Sequence, residues 1–109
     1  MSNSYVTPTT PAGDFEALAV STTVVTPTAA KLAINRAGGF RKRAQKAFLT
    51  VETNTVRIRF DGTAPDASTG HALVAGDFMT VEGEDNVANI KLIRASADAT
   101  VMVTYFYNM

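Results

Sequence analysis

The strongest constraint on the fold is a series of short segments in which apolar and polar residues alternate. Val56, Ile58 and Phe60 are separated by Arg57 and Arg59, so a strand here would bury its apolar side chains and expose its charged ones. Similar segments recur between turn-forming residues, and none has the length and period of a long helix. The sequence therefore predicts an all-β fold, an antiparallel β-sandwich that is jelly-roll-like and has seven to eight short strands.

The predicted strands cover most of the chain after residue 17. They span residues 18–24, 47–51, 56–60, 71–74, 78–82, 88–95 and 99–107, and loops are predicted at 36–43, 61–70 and 84–86. Residues 30–34 fit either a strand or a short helix capped by Thr28, and we favour the strand. In the last strand, Tyr105 and Tyr107 should face the core. Phe106 should then point outward or pack against a partner or a second sheet.

The chain of 109 residues has the length of one domain. Residues 1–16 are rich in Thr and Pro, which favours an extended N-terminal arm, and residues 17–109 are predicted to form a single β-sandwich domain. The arm is either frayed or extended along a partner such as a neighbouring copy, and in the second case we predict that Tyr5, Pro8 and Pro11 contact the partner.

No combination of residues indicates catalysis. The chain has no cysteine and one histidine, His71, which could pair with Asp61 or Asp66, but no activated nucleophile accompanies it. We therefore expect His71 to have a structural role and the chain to have neither an enzyme activity nor a cofactor. The acidic residues around Gly83 do not match the spacing of a calcium-binding loop, so we expect no metal site.

The charges are unevenly distributed although the formal net charge is zero. Residues 17–51 contain six basic residues and no acidic one, whereas eight of the ten acidic residues follow from Glu52 onward. We predict partner contact by Arg41, Lys42, Arg43 and Lys46. The favoured partner of these basic residues is the acidic loop of another copy. The alternative is that they form a solvated loop without a partner, and binding to nucleic acid is the least favoured interpretation.

No segment is long and apolar enough to span a membrane, and the first residues lack the features of a signal peptide.

The second half of the sequence contains a specific series of short motifs. They are Thr50-Val51-Glu52, Val56-Arg57-Ile58-Arg59-Phe60-Asp61-Gly62-Thr63-Ala64-Pro65, Gly70-His71, Leu73, Gly76-Asp77, Ile93-Arg94-Ala95 and Val103-Thr104-Tyr105. With these motifs, about residues 44–107 resemble small proteins encoded among the structural genes of tailed bacteriophages and prophages. The resemblance implies a β-sandwich virion protein present in many copies and made in the cytoplasm of the host bacterium. A head decoration or cement protein is the first expectation, binding itself as a homo-oligomer, a trimer or larger ring, and binding other virion proteins such as the major capsid protein. The alternatives are a neck, tail or fibre-attachment component, or a carbohydrate-binding module of a receptor-binding structure.

Overall fold

The computed structural model describes residues 12–35 and 41–107, which form two antiparallel sheets and two short helices. The strands are β1 (Ala12–Val20), β2 (Ala33–Asn35), β3 (Arg41–Thr53), β4 (Val56–Arg59), β5 (His71–Leu73), β6 (Phe78–Glu82), β7 (Lys91–Arg94) and β8 (Ala99–Tyr107). The helices are α1 (Ala29–Leu32) and α2 (Glu84–Ala88). The predicted all-β sandwich is confirmed.

The first sheet has five strands, and β8 lies inside it between β1 and β3. The opposite side of β3 pairs with β2 over Arg41 to Arg43 and with β6 over Lys46 to Thr50. The second sheet has the order β5-β4-β7. The first sheet is therefore broad enough to present a wide outer face, while the smaller second sheet covers its inner face.

The core consists of the inward-facing residues of both sheets. In β8 every second residue from Ala99 to Tyr107 is buried, and Leu49 of β3 and Ile58 of β4 are fully buried. These side chains belong to one contiguous cluster that includes residues of both sheets. Burial of a side chain the size of Ile or Leu contributes roughly 1.5–3 kcal/mol, so the alternating pattern stabilises this fold.

The first strand begins earlier than predicted. β1 pairs with β8 from Ala12 onward, so residues 12–16, which the sequence assigned to the arm, belong to the sheet. A Cβ atom at Gly13 would overlap the Tyr107 ring, and the glycine therefore lets β1 approach this ring closely. The Thr- and Pro-rich segment ends at Pro11, directly before β1 begins.

Two segments predicted as strand or loop contain helices. Residues 30–32 lie in α1 rather than in a strand, and only the residues from Ala33 onward are extended. The predicted loop at 84–86 and the start of the predicted strand at 88–95 lie in and just after α2. Val87 and Ile90 are fully buried, and their spacing of three residues suits a helical turn packed on the core.

The predicted loop at residues 36–43 is also partly wrong, because β3 already begins at Arg41. At the same end of the sheet, Tyr105 and Tyr107 are buried as predicted. Phe106 is on the opposite face of β8, outside the main core cluster, and it too is buried, with 5% of its surface exposed.

Candidate functional site

Two neighbouring rows on the outer face of the first sheet contain no charged residue across four strands. Residues that are directly opposite in neighbouring strands point to the same face of a sheet, so the strand registers align their side chains in rows. One row, from β1 to β6, contains Phe15, Thr104, Phe48 and Thr80, and the next contains Ala17, Met102, Thr50 and Phe78. We call these eight residues the uncharged face.

Two of the largest side chains on the uncharged face are well exposed. Phe15 exposes 53% of its surface and Phe78 exposes 40%. The Phe78 ring lies beside the Phe48 ring, with 5.9 Å between their centroids. An antiparallel sheet with one solvated face normally carries polar residues there, and a contiguous exposed apolar area usually marks an interaction surface. The uncharged face is therefore the best candidate for a functional surface.

The sequence alone does not reveal the uncharged face because its residues come from four separate strands. The alternation of Ala47, Leu49 and Val51 does indicate that Phe48 points away from the core. However, only the registers show that Phe15, 33 positions earlier, and Phe78, 30 positions later, share its face.

Two of the predicted basic contact residues, Arg43 and Lys46, lie next to acidic residues of the same chain. Arg43 is 3.5 Å from Glu84, measured between guanidinium nitrogen and carboxylate oxygen, and Lys46 Nζ is 3.4 Å from Glu82 Oε1. These acids belong to the segment that was predicted to complement the basic loop of another copy. A contact between copies would therefore have to compete with ion pairs that already exist within one chain.

The other predicted contact residues have different positions. Arg41 and Lys42 lie in β3, opposite Asn35 and Ile34 of β2. Tyr5, Pro8 and Pro11 lie outside the described residues. Partner contact by these residues remains a prediction.

The loop that precedes His71 is held by its own carboxylates. Asp61 accepts hydrogen bonds from Arg59 and from the backbone of Thr63, which lower its pKa to about 2. Asp66 accepts hydrogen bonds from the backbone and the hydroxyl of Ser68. The His71 ring is exposed and stacks on Phe60, with 5.9 Å between the ring centroids. The two carboxylates considered as partners of His71 are thus engaged in shaping the loop.

The acidic residues around Gly83 also have structural partners. Glu82 and Glu84 form the ion pairs with Lys46 and Arg43, and Asn86 donates a hydrogen bond to the Glu82 carbonyl at 3.0 Å. Within residues 12–35 and 41–107, no group of three or more His, Asp or Glu side chains is arranged to hold a metal ion.

A carboxylate in the inner layer connects β1, β8 and the segment before α1. Glu16 accepts hydrogen bonds from the Thr28 backbone at 3.0 Å, the Thr28 hydroxyl at 2.6 Å and the Tyr105 hydroxyl at 2.5 Å. Partial burial opposes ionisation, but these hydrogen bonds and the nearby Lys31 more than offset it and keep the Glu16 pKa below its usual value. Burial, together with the hydrogen bond to Glu16, raises the pKa of Tyr105. We call this arrangement the Glu16 cluster.

The same end of the sheet contains two further contacts to α1. The Tyr107 hydroxyl donates to the Lys31 carbonyl at 2.6 Å, and Lys31 Nζ is 3.1 Å from Asp14 Oδ1. In the described part of the chain, no buried side-chain nitrogen or oxygen lacks a hydrogen-bond partner. These polar groups satisfy one another and connect α1 and the segment before it to the first sheet.

An open cavity of about 300 Å³ lies between the loops at one end of the sandwich. Its lining consists of Thr22, Ala67, Ile93, Arg94, Ala95 and Ser96. Arg94 already pairs with Asp98, with 2.7 Å between nitrogen and oxygen. The cavity therefore offers a ligand little specific polar recognition.

Neither of the two short helices in the described residues is long and apolar enough to cross a membrane.

Comparisons with known proteins add no further assignment. No family model, curated protein or solved structure gave a match to this chain.

Proposed function

We propose that this chain is a structural protein of a bacteriophage virion, and first of all a head decoration or cement protein that binds the major capsid protein in many copies. The observation that carries the proposal is the uncharged face, on which Phe15 and Phe78 are exposed. The resemblance of about residues 44–107 to small proteins from the structural gene regions of tailed phages supports the virion as its location.

The geometry suits attachment to a repetitive surface. The uncharged face is carried by paired strands above a well-packed core, so it is presented to a partner without first having to become ordered. Its aromatic and Thr side chains can be buried without leaving a charge unpaired. When many copies bind to one particle, weak single contacts add up to stable attachment.

The first test asks whether the chain is in the particle and where. Mass spectrometry of purified phage particles should detect the chain, and electron cryo-microscopy should show it on the outer surface of the head. Density at the neck, tail or fibres would support the corresponding alternative in place of head decoration. A particle from the parent phage that lacks the chain altogether would refute the proposal.

The second test asks whether the uncharged face is the attachment surface. Particles assembled without the chain are mixed with purified Phe78→Lys or Val74→Lys protein. Val74 is a matched control because it is 50% exposed, compared with 40% for Phe78, but lies outside the uncharged face. We expect Phe78→Lys to weaken particle binding roughly tenfold or more, as expected for an apolar contact replaced by a desolvated charge, and Val74→Lys to leave it unchanged. Equal binding by both variants would exclude the uncharged face as the attachment surface.

A further inference from the structure

Within residues 12–35 and 41–107, β1 is a long edge strand of the first sheet. It pairs with β8 alone, and no strand formed by these residues lies on its other side. Residues 14–20 follow one continuous register with β8, and these seven residues present a regular row of backbone donors and acceptors. Such an edge is a template on which another strand can add.

The other edges of the two sheets are short or covered. β2 and β5 have three residues each, and β6 has five and ends in Glu82. β7 exchanges two backbone hydrogen bonds with Val25, at 2.8 and 2.9 Å. Short length, charge and coverage are the usual ways in which proteins protect an edge from pairing.

β1 lacks these protections on its solvent side. Its outward residues Phe15, Ala17 and Ala19 are exposed and uncharged. Its two acidic residues, Asp14 and Glu16, occupy the alternate positions and are engaged with Lys31 and in the Glu16 cluster. β1 thus has an edge suited to pairing and no charge on its outer face to prevent it.

We infer that β1 pairs antiparallel with β1 of a second copy of this chain, which joins two first sheets into one continuous sheet. An antiparallel strand pair related by a two-fold axis is self-complementary, because each copy offers the other the same donors and acceptors. The inner and outer faces of both copies coincide only if the axis lies midway between the two copies of one residue. Moving the axis by one residue along the strand shifts the pairing register by two residues.

The charges select one register. An axis at Phe15 would place Asp14 opposite Glu16 of the second copy, and an axis at Glu16 would place the two Glu16 side chains opposite each other. Like charges directly opposite each other destabilise a strand pair. An axis at Ala17 avoids both conflicts and pairs all of residues 14–20, whereas an axis at Leu18 would pair fewer of them.

The register centred on Ala17 also fits the outer side chains. It places each Phe15 opposite Ala19 of the other copy, so the large ring meets a small residue. The uncharged faces of the two copies then become continuous across the new strand pair. A ribbon of this length buries less than the ~1,200 Å² that stable interfaces usually bury, so we expect a micromolar or weaker dissociation constant.

The inference deepens the proposed function by naming a second copy as a partner, and it is tested on the purified chain alone. Phe15→Glu with Ala19→Glu places like charges opposite each other in both symmetric positions of the predicted register. Phe15→Glu with Ala19→Lys places opposite charges there. Positions 15 and 19 are four residues apart in one strand, about 13 Å, so the charges hardly interact within one copy.

Sedimentation equilibrium over about 10 µM to 1 mM measures the dimer. We expect a dimer for the unmodified chain, at least tenfold weaker association for the Glu/Glu variant, and a retained dimer for the Glu/Lys variant. Val74→Lys, outside β1, should associate like the unmodified chain. Circular dichroism and thermal melting verify that each variant is folded.

Three results would overturn the inference. They are a monomer at the highest concentration, a trimer or larger ring, and equal loss or equal retention of the dimer in both double variants. If the chain is found in virions while the purified chain is a monomer, the proposed function stands and the β1 pairing falls. If the dimer behaves as expected but the chain is absent from particles, the β1 pairing stands and the proposed function falls.

Discussion

Glu16→Ala should destabilise the fold strongly although the residue is not fully buried. The substitution removes the acceptor of three hydrogen bonds, two from Thr28 and one from Tyr105. Thr28 can turn to water, because it is exposed. The Tyr105 side chain is fully buried, so its hydroxyl would be left in the inner layer without this acceptor.

The expected loss follows from these contacts. A hydrogen bond to a charged group contributes about 1.5–3 kcal/mol, and a buried donor left unpaired costs about 1–3 kcal/mol. The three bonds share one carboxylate and are partly exposed, so their contributions do not add fully. We expect Glu16→Ala to lower the free energy of unfolding by about 2–4 kcal/mol, which corresponds to a melting temperature lower by about 8–20 °C for a domain of this size.

The same contacts predict how stability depends on pH. The folded state lowers the pKa of Glu16, so the unfolded state binds a proton more readily. The contribution of Glu16 is therefore complete above the unfolded pKa of about 4.3 and is lost as pH falls through the lower, folded pKa. Asp14, whose pKa is lowered by the Phe15 backbone and Lys31, acts in the same direction.

Urea unfolding at pH 7 and at pH 3, followed by circular dichroism, measures both effects. The loss caused by Glu16→Ala should be large at pH 7 and smaller at pH 3. In a double-mutant cycle, Glu16→Gln and Tyr105→Phe should show a coupling of about 1–2 kcal/mol. A loss below about 0.5 kcal/mol at pH 7, or no coupling with Tyr105, would refute this account of the Glu16 cluster.

Four further substitutions test the packing and the surface charges. Ile58→Ala should cost about 2–5 kcal/mol in chemical denaturation because Ile58 is fully buried, whereas Arg59→Ala, which removes an ion pair with the exposed Asp61, should cost about 1 kcal/mol or less; equal effects would contradict the predicted faces of β4. Gly13→Ala should lower the melting temperature, with a cost of about 1–3 kcal/mol, because the new methyl group would overlap the Tyr107 ring; an unchanged melting temperature would show that β1 does not approach so closely. Arg43→Ala should cost no more than about 1 kcal/mol and less in high salt, since it removes an exposed ion pair; a larger loss would give this pair a structural role.

The strands that the sequence predicts best are those in which apolar and polar residues alternate clearly. In β4 and β8 the apolar residues alternate, and burial follows the alternation through Val56, Ile58 and the odd-numbered residues of β8. Elements that depend on long-range contacts are predicted less well, and α1 is an example. The Thr28 hydroxyl does not cap this helix, because it donates its hydrogen bond to Glu16, twelve positions earlier in the chain.

The candidate surface depends even more on long-range pairing. The sequence assigns Phe15 to the arm, whereas its pairing with Thr104 of β8 places it on the first sheet. The sequence shows that one segment is basic and another acidic, and it suggests a contact between two copies. The pairing of β3 with β6 instead brings Lys46 and Glu82 together within one chain. Alternation determines on which side of a strand a residue lies, whereas only register shows which other residues share that side.

The central position of β8 has a consequence for how the chain folds. Ala17 pairs with Met102, 85 positions later in the sequence, and β3 pairs with the other side of the same strand. On the ribosome, β1 and β3 are therefore synthesised well before the strand that must insert between them. Their apolar sides remain without a partner during this interval, and pairing over such a distance is slow. When many copies are synthesised together, we expect the period before β8 inserts to be the stage most exposed to aggregation.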